Sequence, residues 1–253
     1  MREMCQSALD RGIPEIGFTE HLDLLPFDPG YATFRIEAWW EELQRCRQAF
    51  APELSIRAGV ELSEPHRVRH AAEAALQGLP WDYVVGALHW VGPVLVFDRA
   101  YFDRPAGEAY IAYFDELAAA ADAGGFEVLA HADIVKRFGH TAYGAFDPRP
   151  YEGAVRAALR ACARNGIALE VNSSTLRRPV AELSPSPLML TWFREEGGRL
   201  VTIGSDAHLP GDVGAGLDQA LEAVRAAEFR SLARFEGRRP SEIPLPDPGP
   251  EDR

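Results

Sequence analysis

The sequence predicts an α/β fold, a parallel sheet covered by helices, and two observations carry that prediction. Short apolar, β-prone runs alternate with longer stretches of helical periodicity along nearly the whole chain, the pattern that builds parallel sheets. The runs are close to continuously apolar, as strands buried on both faces must be.

Taken in order, the chain opens on MREMCQSALDRG, polar and helix-like, with Gly12 where a helix end favours φ > 0. Strands are expected at 15–19 (EIGFT), 54–60 (LSIRAGV), 82–88 (DYVVGAL), 126–130 (FEVLA), 167–171 (IALEV) and 200–203 (LVTI). Helices are expected at 35–49, 66–77, 106–123, 151–165, 187–197 and 214–227. A βα repeat that opens on a helix implies a further strand missing at the front. The end, FRSLARFEGRRPSEIPLPDPGPEDR, reads as a short extended segment and then a Pro-rich tail. One domain over 1–240 is therefore expected, with a disordered tail over 241–253.

The 253 residues carry a net charge of −12, which repels nucleic-acid phosphates and anionic lipid and disfavours both as partners. Cys5, Cys46 and Cys162 are far apart, which fits neither a disulfide framework nor a zinc–thiolate site. Reduced thiols in a cytoplasmic protein are expected. No apolar run reaches membrane-spanning length, and the N-terminal stretch lacks an apolar signal core.

The chemistry-bearing residues fall at one topological position. Glu20 and His21 end the first run, Glu61 the second, His89 the third, His131 and Asp133 the fourth, Asn172 the fifth, and Asp206 with His208 the sixth. In a parallel α/β barrel the C-terminal strand ends converge on one face, where active sites are built. A mix of imidazole and carboxylate without thiolate suits Zn, Mn or Fe. Glu61 is placed to bridge two ions, and such clusters serve phosphoryl transfer. His66 and His70, four apart at a helix start, read as a solvated helix face, and His140 ends no strand. IVKRFG and STLRRP set Arg137 and Arg177, with Lys136 and Arg178 beside them, just beyond strand ends, where guanidinium groups match a phosphate. The sequence holds no GxSxG, Walker or GxGxxG motif, and GDVGAG at 211–216 reads as a turn.

FTEH (18–21), GVE (59–61), VGALHW (85–90), LAHADIVKRFG (129–139), LEVNSSTLRR (169–178) and TIGSDAH (202–208) together resemble the PHP family, and within it the histidinol-phosphate phosphatases. The resemblance implies a distorted (β/α)7 TIM-like barrel with a cluster of up to three divalent metals at its mouth. It implies His21, Glu61, His89, His131, Asp206 and His208 as metal ligands, and Arg137 and Arg177 as the grip on a small-molecule phosphate ester. Water activated at the metals would attack phosphorus, and Asp206 or His208 would serve the leaving alcohol, giving L-histidinol in histidine biosynthesis. The family pattern also opens on a strand ending in HxH; here 17 residues precede Phe18 and none is His. The expectation is a barrel without its first strand, holding fewer ions, from a start displaced downstream. Two alternatives stay open: a PHP phosphoesterase for another small phosphate ester, and a non-catalytic metal-binding PHP protein. The oligomeric state is not legible.

Overall fold

The structure, a computed structural model, describes residues 1–246. Helix α1 (Arg2–Asp10) leads into β1 (Glu15–Leu22), α2 (Ile36–Phe50), β2 (Ser55–Ser63), α3 (Pro65–Leu76) and β3 (Tyr83–Ala87). A two-stranded ribbon, β4 (Trp90–Val91) and β5 (Val94–Leu95), precedes α4 (Ala106–Ala123) and β6 (Val128–Leu129). Then follow α5 (Lys136–Tyr143), α6 (Glu152–Arg164), β7 (Ala168–Asn172), α7 (Pro187–Glu195), β8 (Val201–Gly204) and α8 (Leu217–Ala226). An antiparallel hairpin of β9 (Ser231–Glu236) and β10 (Arg239–Pro244) ends the described chain.

Six strands form one sheet in the order β1-β2-β3-β6-β7-β8, and every pairing is parallel. The sheet curls: His21 at the end of β1 and His208 beyond β8 lie on opposite edges, yet their rings are 6.4 Å apart. Among the described residues no strand joins β1 to β8, so the architecture is a curled half-barrel of six parallel strands, in keeping with the expected barrel that lacks its first strand. Helix α1 ties the two edges together, since Ser7 Oγ donates to Pro210 O at 2.6 Å and Arg11 donates to Gly211 O.

Strand alternation sorts the core into two layers. Val60, Leu62, Val84, Leu88, Leu129, Leu169, Val171 and Val201 face the helices and join Leu117, Phe114, Leu159 and Phe193 in the large outer core. Each such side chain contributes about 1.5–3 kcal/mol on burial. Residues of the opposite parity, Val85, Ala87, Val128, Ala130 and Ala168, form a smaller cluster inside the half-barrel, closed from below by Phe235 of β9. Tyr83 fills the interior because Gly17 and Gly59 leave room: a Cβ at either position would lie 1.9 and 2.7 Å from its side chain.

The expected strands and helices all form, with ends shifted by a few residues. The ribbon strands β4 and β5, helix α5 and strand β10 were not expected. Helix α5 occupies KRFGHTAY, where Gly139 breaks the helical pattern but is needed, since a Cβ there would meet Tyr110 Oη at 2.3 Å. Strand β10 takes in residues 241–244, which the sequence assigns to the tail; the hairpin forms because Arg238 N–H donates to Asp82 O and its side chain reaches Glu127. The rest of the expected tail, 247–253, lies outside the described residues.

Candidate metal centre

The inward parity of three neighbouring strands builds the site. His21 and Glu61 are register partners on β1 and β2, and Glu61 pairs with Val85, two inward positions before His89. One ligand atom from each of His21, Glu61 and His89 lies within 4.8 Å of the others, as donors around a shared cation do. Glu61 sits at the centre, its Oε2 3.9 Å from His21 Nε2 and its Oε1 3.4 Å from His89 Nε2. His131 Nε2 reaches the same Oε1 at 3.2 Å. It does so from a backbone with φ of +26°, in the sparsely populated left-handed half of the map, where the chain leaves β6.

Electrostatics follow from this crowding. Burial pushes the Glu61 carboxyl up, but the His131 hydrogen bond and the three surrounding imidazoles outweigh it and hold the group well below the usual carboxylate range. Burial pushes His89 down to about 4, so the ring is neutral at physiological pH. Ser63 fixes which nitrogen of His89 carries the proton. Its hydroxyl donates to Asp23 Oδ1 at 2.6 Å, which leaves its oxygen to accept from His89 Nδ1 at 3.1 Å. The Nε2 lone pair then points at Glu61, free for a cation, with Ser63 and Asp23 as the outer groups that orient a ligating histidine. A carboxylate ringed by three imidazole nitrogens at 3.2–3.9 Å fits a divalent ion of the zinc type.

The remaining predicted residues lie around this core with differing engagement. Asp206 has φ of +47° and accepts from Ser174 Oγ at 3.1 Å. His208 is exposed, with Nδ1 3.6 Å from Asp206 Oδ1. Arg137 is half-buried, its guanidinium 5.4 Å from the Phe138 ring, and among the described residues it has no carboxylate partner. Burial and the nearby Arg178 charge both lower its pKa, so Arg178 stands within electrostatic reach of Arg137. Arg177 is instead tied to the turn after β8, donating to Ser205 O at 2.7 Å with Nε 3.5 Å from Asp212.

Lys136 and Asp133 form a fully buried ion pair at 3.0 Å, away from solvent. His66 is bound to Glu116 at 2.8 Å, so the solvated-face reading holds for the exposed His70 alone. Sequence reasoning passed over Asp23, Ser63 and Glu170. Glu170 accepts from the His131 N–H at 3.0 Å, and its inward strand parity was the available signal.

The profile of the PHP domain matches residues 1–174. The chain belongs to the PHP family. Among curated relatives of this PHP protein, the "Probable histidinol-phosphatase" of Deinococcus radiodurans is 34% identical, over 91% of this chain and 88% of that one. The "Histidinol-phosphatase" of Lactococcus lactis is 27% identical, over 93% of this chain and 88% of its own. A solved structure of histidinol phosphate phosphatase from Lactococcus lactis, complexed with zinc, L-histidinol and phosphate, shares the PHP fold. It superposes with a TM-score of 0.83 at 23% identity, covering 95% of this chain and 92% of that one.

Proposed function

We propose that this PHP protein is a metal-dependent phosphomonoesterase that hydrolyses L-histidinol phosphate to L-histidinol and phosphate. The observation that carries the reading is the convergence of His21, His89 and His131 on the buried Glu61, in a chain whose curated relatives bear the histidinol-phosphatase name. Glu61, His21, His89 and His131 would hold a divalent ion, with Asp206 and His208 contributing from the rim. When bound, such an ion supplies Lewis-acid stabilisation of phosphoryl oxygens and eases deprotonation of water.

The protein's own groups do the rest. Arg137, within electrostatic reach of Asp206 but in no salt bridge, and its neighbour Arg178 offer paired positive charge to a phosphate dianion in an otherwise acidic chain. Arg177 supports the same loop from the β8 side. Asp206 keeps Oδ1 clear of the Ser174 bond, so the Asp206–His208 pair is placed to hold a proton for the leaving alcohol.

The test is phosphate release from L-histidinol phosphate beside a panel of other small phosphomonoesters, with Zn²⁺ or Mn²⁺ supplied. Selective turnover that falls by at least about 10³-fold in Glu61→Gln supports the reading. Equal turnover across the panel would move the substrate assignment to another phosphate ester, and none at all would sink the enzymatic reading.

A further inference from the structure

We propose that Glu170, Asn172 and Ser174 act as a single bracket that sets the positions of His131 and Asp206 in the metal centre. The inference rests on the reading of that centre given above and assigns positioning roles to three residues that do not themselves reach the cluster.

Both ends of the bracket are strained. His131 and Asp206 have φ of +26° and +47°, a region that side-chain-bearing residues adopt only when their surroundings hold them there. The two lie on segments after β6 and β8, and β7 runs between those strands. A continuous path of hydrogen bonds crosses the gap. The His131 N–H donates to Glu170 Oε2 at 3.0 Å, and Asn172 Nδ2 donates to the same oxygen at 3.0 Å. On its other side Asn172 Oδ1 accepts from the Ser174 N–H at 2.9 Å, and Ser174 Oγ donates to Asp206 Oδ2 at 3.1 Å.

Each group has one orientation available. Asn172 is 1% exposed, and its amide is fixed because its nitrogen must face the carboxylate and its oxygen the Ser174 amide. Its own backbone is locked in both directions to Ser184. Glycine at 204 leaves Glu170 its place, since a Cβ there would fall 2.4 Å from Glu170 Oε1 and the carboxylate would have to shift. Gly204 belongs to the same GSDAH segment that carries Asp206, so the two motifs fit each other at two points. Outer groups of this kind hold ligands in place and typically change metal affinity or activity 10–100-fold when lost.

The experiment compares full-length wild type with Glu170→Ala, Glu170→Gln, Ser174→Ala and Gly204→Ala. Zn²⁺ affinity is read by chelator competition and the donor arrangement by the visible spectrum of the Co²⁺-loaded protein. Melting of the metal-free proteins and the kcat and KM for L-histidinol phosphate complete the set. Glu170→Ala and Ser174→Ala are each expected to weaken Zn²⁺ about 10–100-fold, alter the Co²⁺ spectrum and lower kcat more than they raise KM. Their double variant should lose less than the product of the single losses, because both act through one path. Glu170→Gln should recover most of the affinity, since its amide oxygen still accepts from both donors. Gly204→Ala should imitate Glu170→Ala without removing any polar group.

Variants that bind Zn²⁺ and give the Co²⁺ spectrum of wild type would overturn the bracket while leaving the proposed function standing. Losses matched wholly by a drop in metal-free melting temperature would overturn it too. Wild type that binds no Zn²⁺ would overturn the reading of the centre, and the bracket with it. Should Glu170→Ala not fold, Ser174→Ala and Gly204→Ala decide the question.

Discussion

Cys162 is wholly buried on the inner face of α6, and burial pushes its thiol up to about 12. Cys5 is raised to about 12 by burial and by neighbouring Cys46, whose own thiol burial also raises. The thiolate is the reactive form, so raised values keep all three cysteines protonated and inert at pH 8. Native protein at that pH should take up no iodoacetamide within an hour by intact mass, and three equivalents after unfolding in urea; modification of the folded chain would contradict this. At the same scale, the site was legible wherever a strand ended in a metal-type residue. His21, Glu61, His89 and His131 could be found that way because chemistry and position coincide. Asp23, Ser63 and Glu170 were not, because a carboxylate or hydroxyl inside a strand or loop looks ordinary until its partner is known. Arg177 and Arg178 are adjacent, and only the fold shows that the second stands near Arg137.

Elements are joined at the mouth by polar contacts as well as by the core. Asp133, at the end of the β6 segment, accepts from Ser184 Oγ and from the Ser186 N–H at 2.9 Å, while Lys136 at the start of α5 donates to Leu183 O. The Asp133–Lys136 pair thus clamps the segment before α7, which closes the loop bearing Arg177 and Arg178, to the His131 strand. Removing one partner of a fully buried pair strands the other charge and costs about 3–5 kcal/mol. Lys136→Met should therefore lower the melting temperature by about 10 °C at a slope of about 2–4 °C per kcal/mol. Asp133→Asn/Lys136→Met should recover part of that loss, because no buried charge is then left unpaired; Glu182, the second partner of Lys136, is solvent-exposed. A Lys136→Met protein that melts like wild type would show that the clamp contributes nothing. Strand–helix alternation made the large elements legible, since their periodicity spans ten residues or more. Helix α5, eight residues with an internal glycine, and the two-residue strands β4 and β5 are too short to carry a period; tertiary contacts decide them.

At the scale of the whole molecule, no strand pairing joins the half-barrel's two edges among the described residues; side chains, α1 and the β9 hairpin, where Arg234 meets Glu15 of β1 at 3.1 Å, bring them together. His21 belongs to the β1 edge, Glu61 and His89 to the next two strands, His131 to the β6 segment, and Asp206 and His208 to the β8 edge. A cation held by these groups binds five separate strands at once, and none of that constellation survives in the unfolded chain. Binding energy at such a site appears as folding stability, growing as RT ln(1 + [L]/Kd). At free Zn²⁺ about a thousandfold above Kd the gain is about 4 kcal/mol, or about 8–16 °C in a chain of this size. Stripping the protein with a chelator should lower its melting temperature by that order, and Zn²⁺ should restore it. Glu61→Gln should erase most of the difference, because the central carboxylate is then gone. The gain should also fall as pH drops below about 9, since imidazoles must be neutral to ligate and His131, pushed down by burial but raised overall to about 9 by its Glu61 hydrogen bond, must first give up its proton. Equal melting of the stripped and loaded proteins at pH 7.5 would mean that the ion does not join the edges. Amide exchange locates the effect: β1, paired on one side only, should gain the most protection on loading, and β3, paired on both, the least.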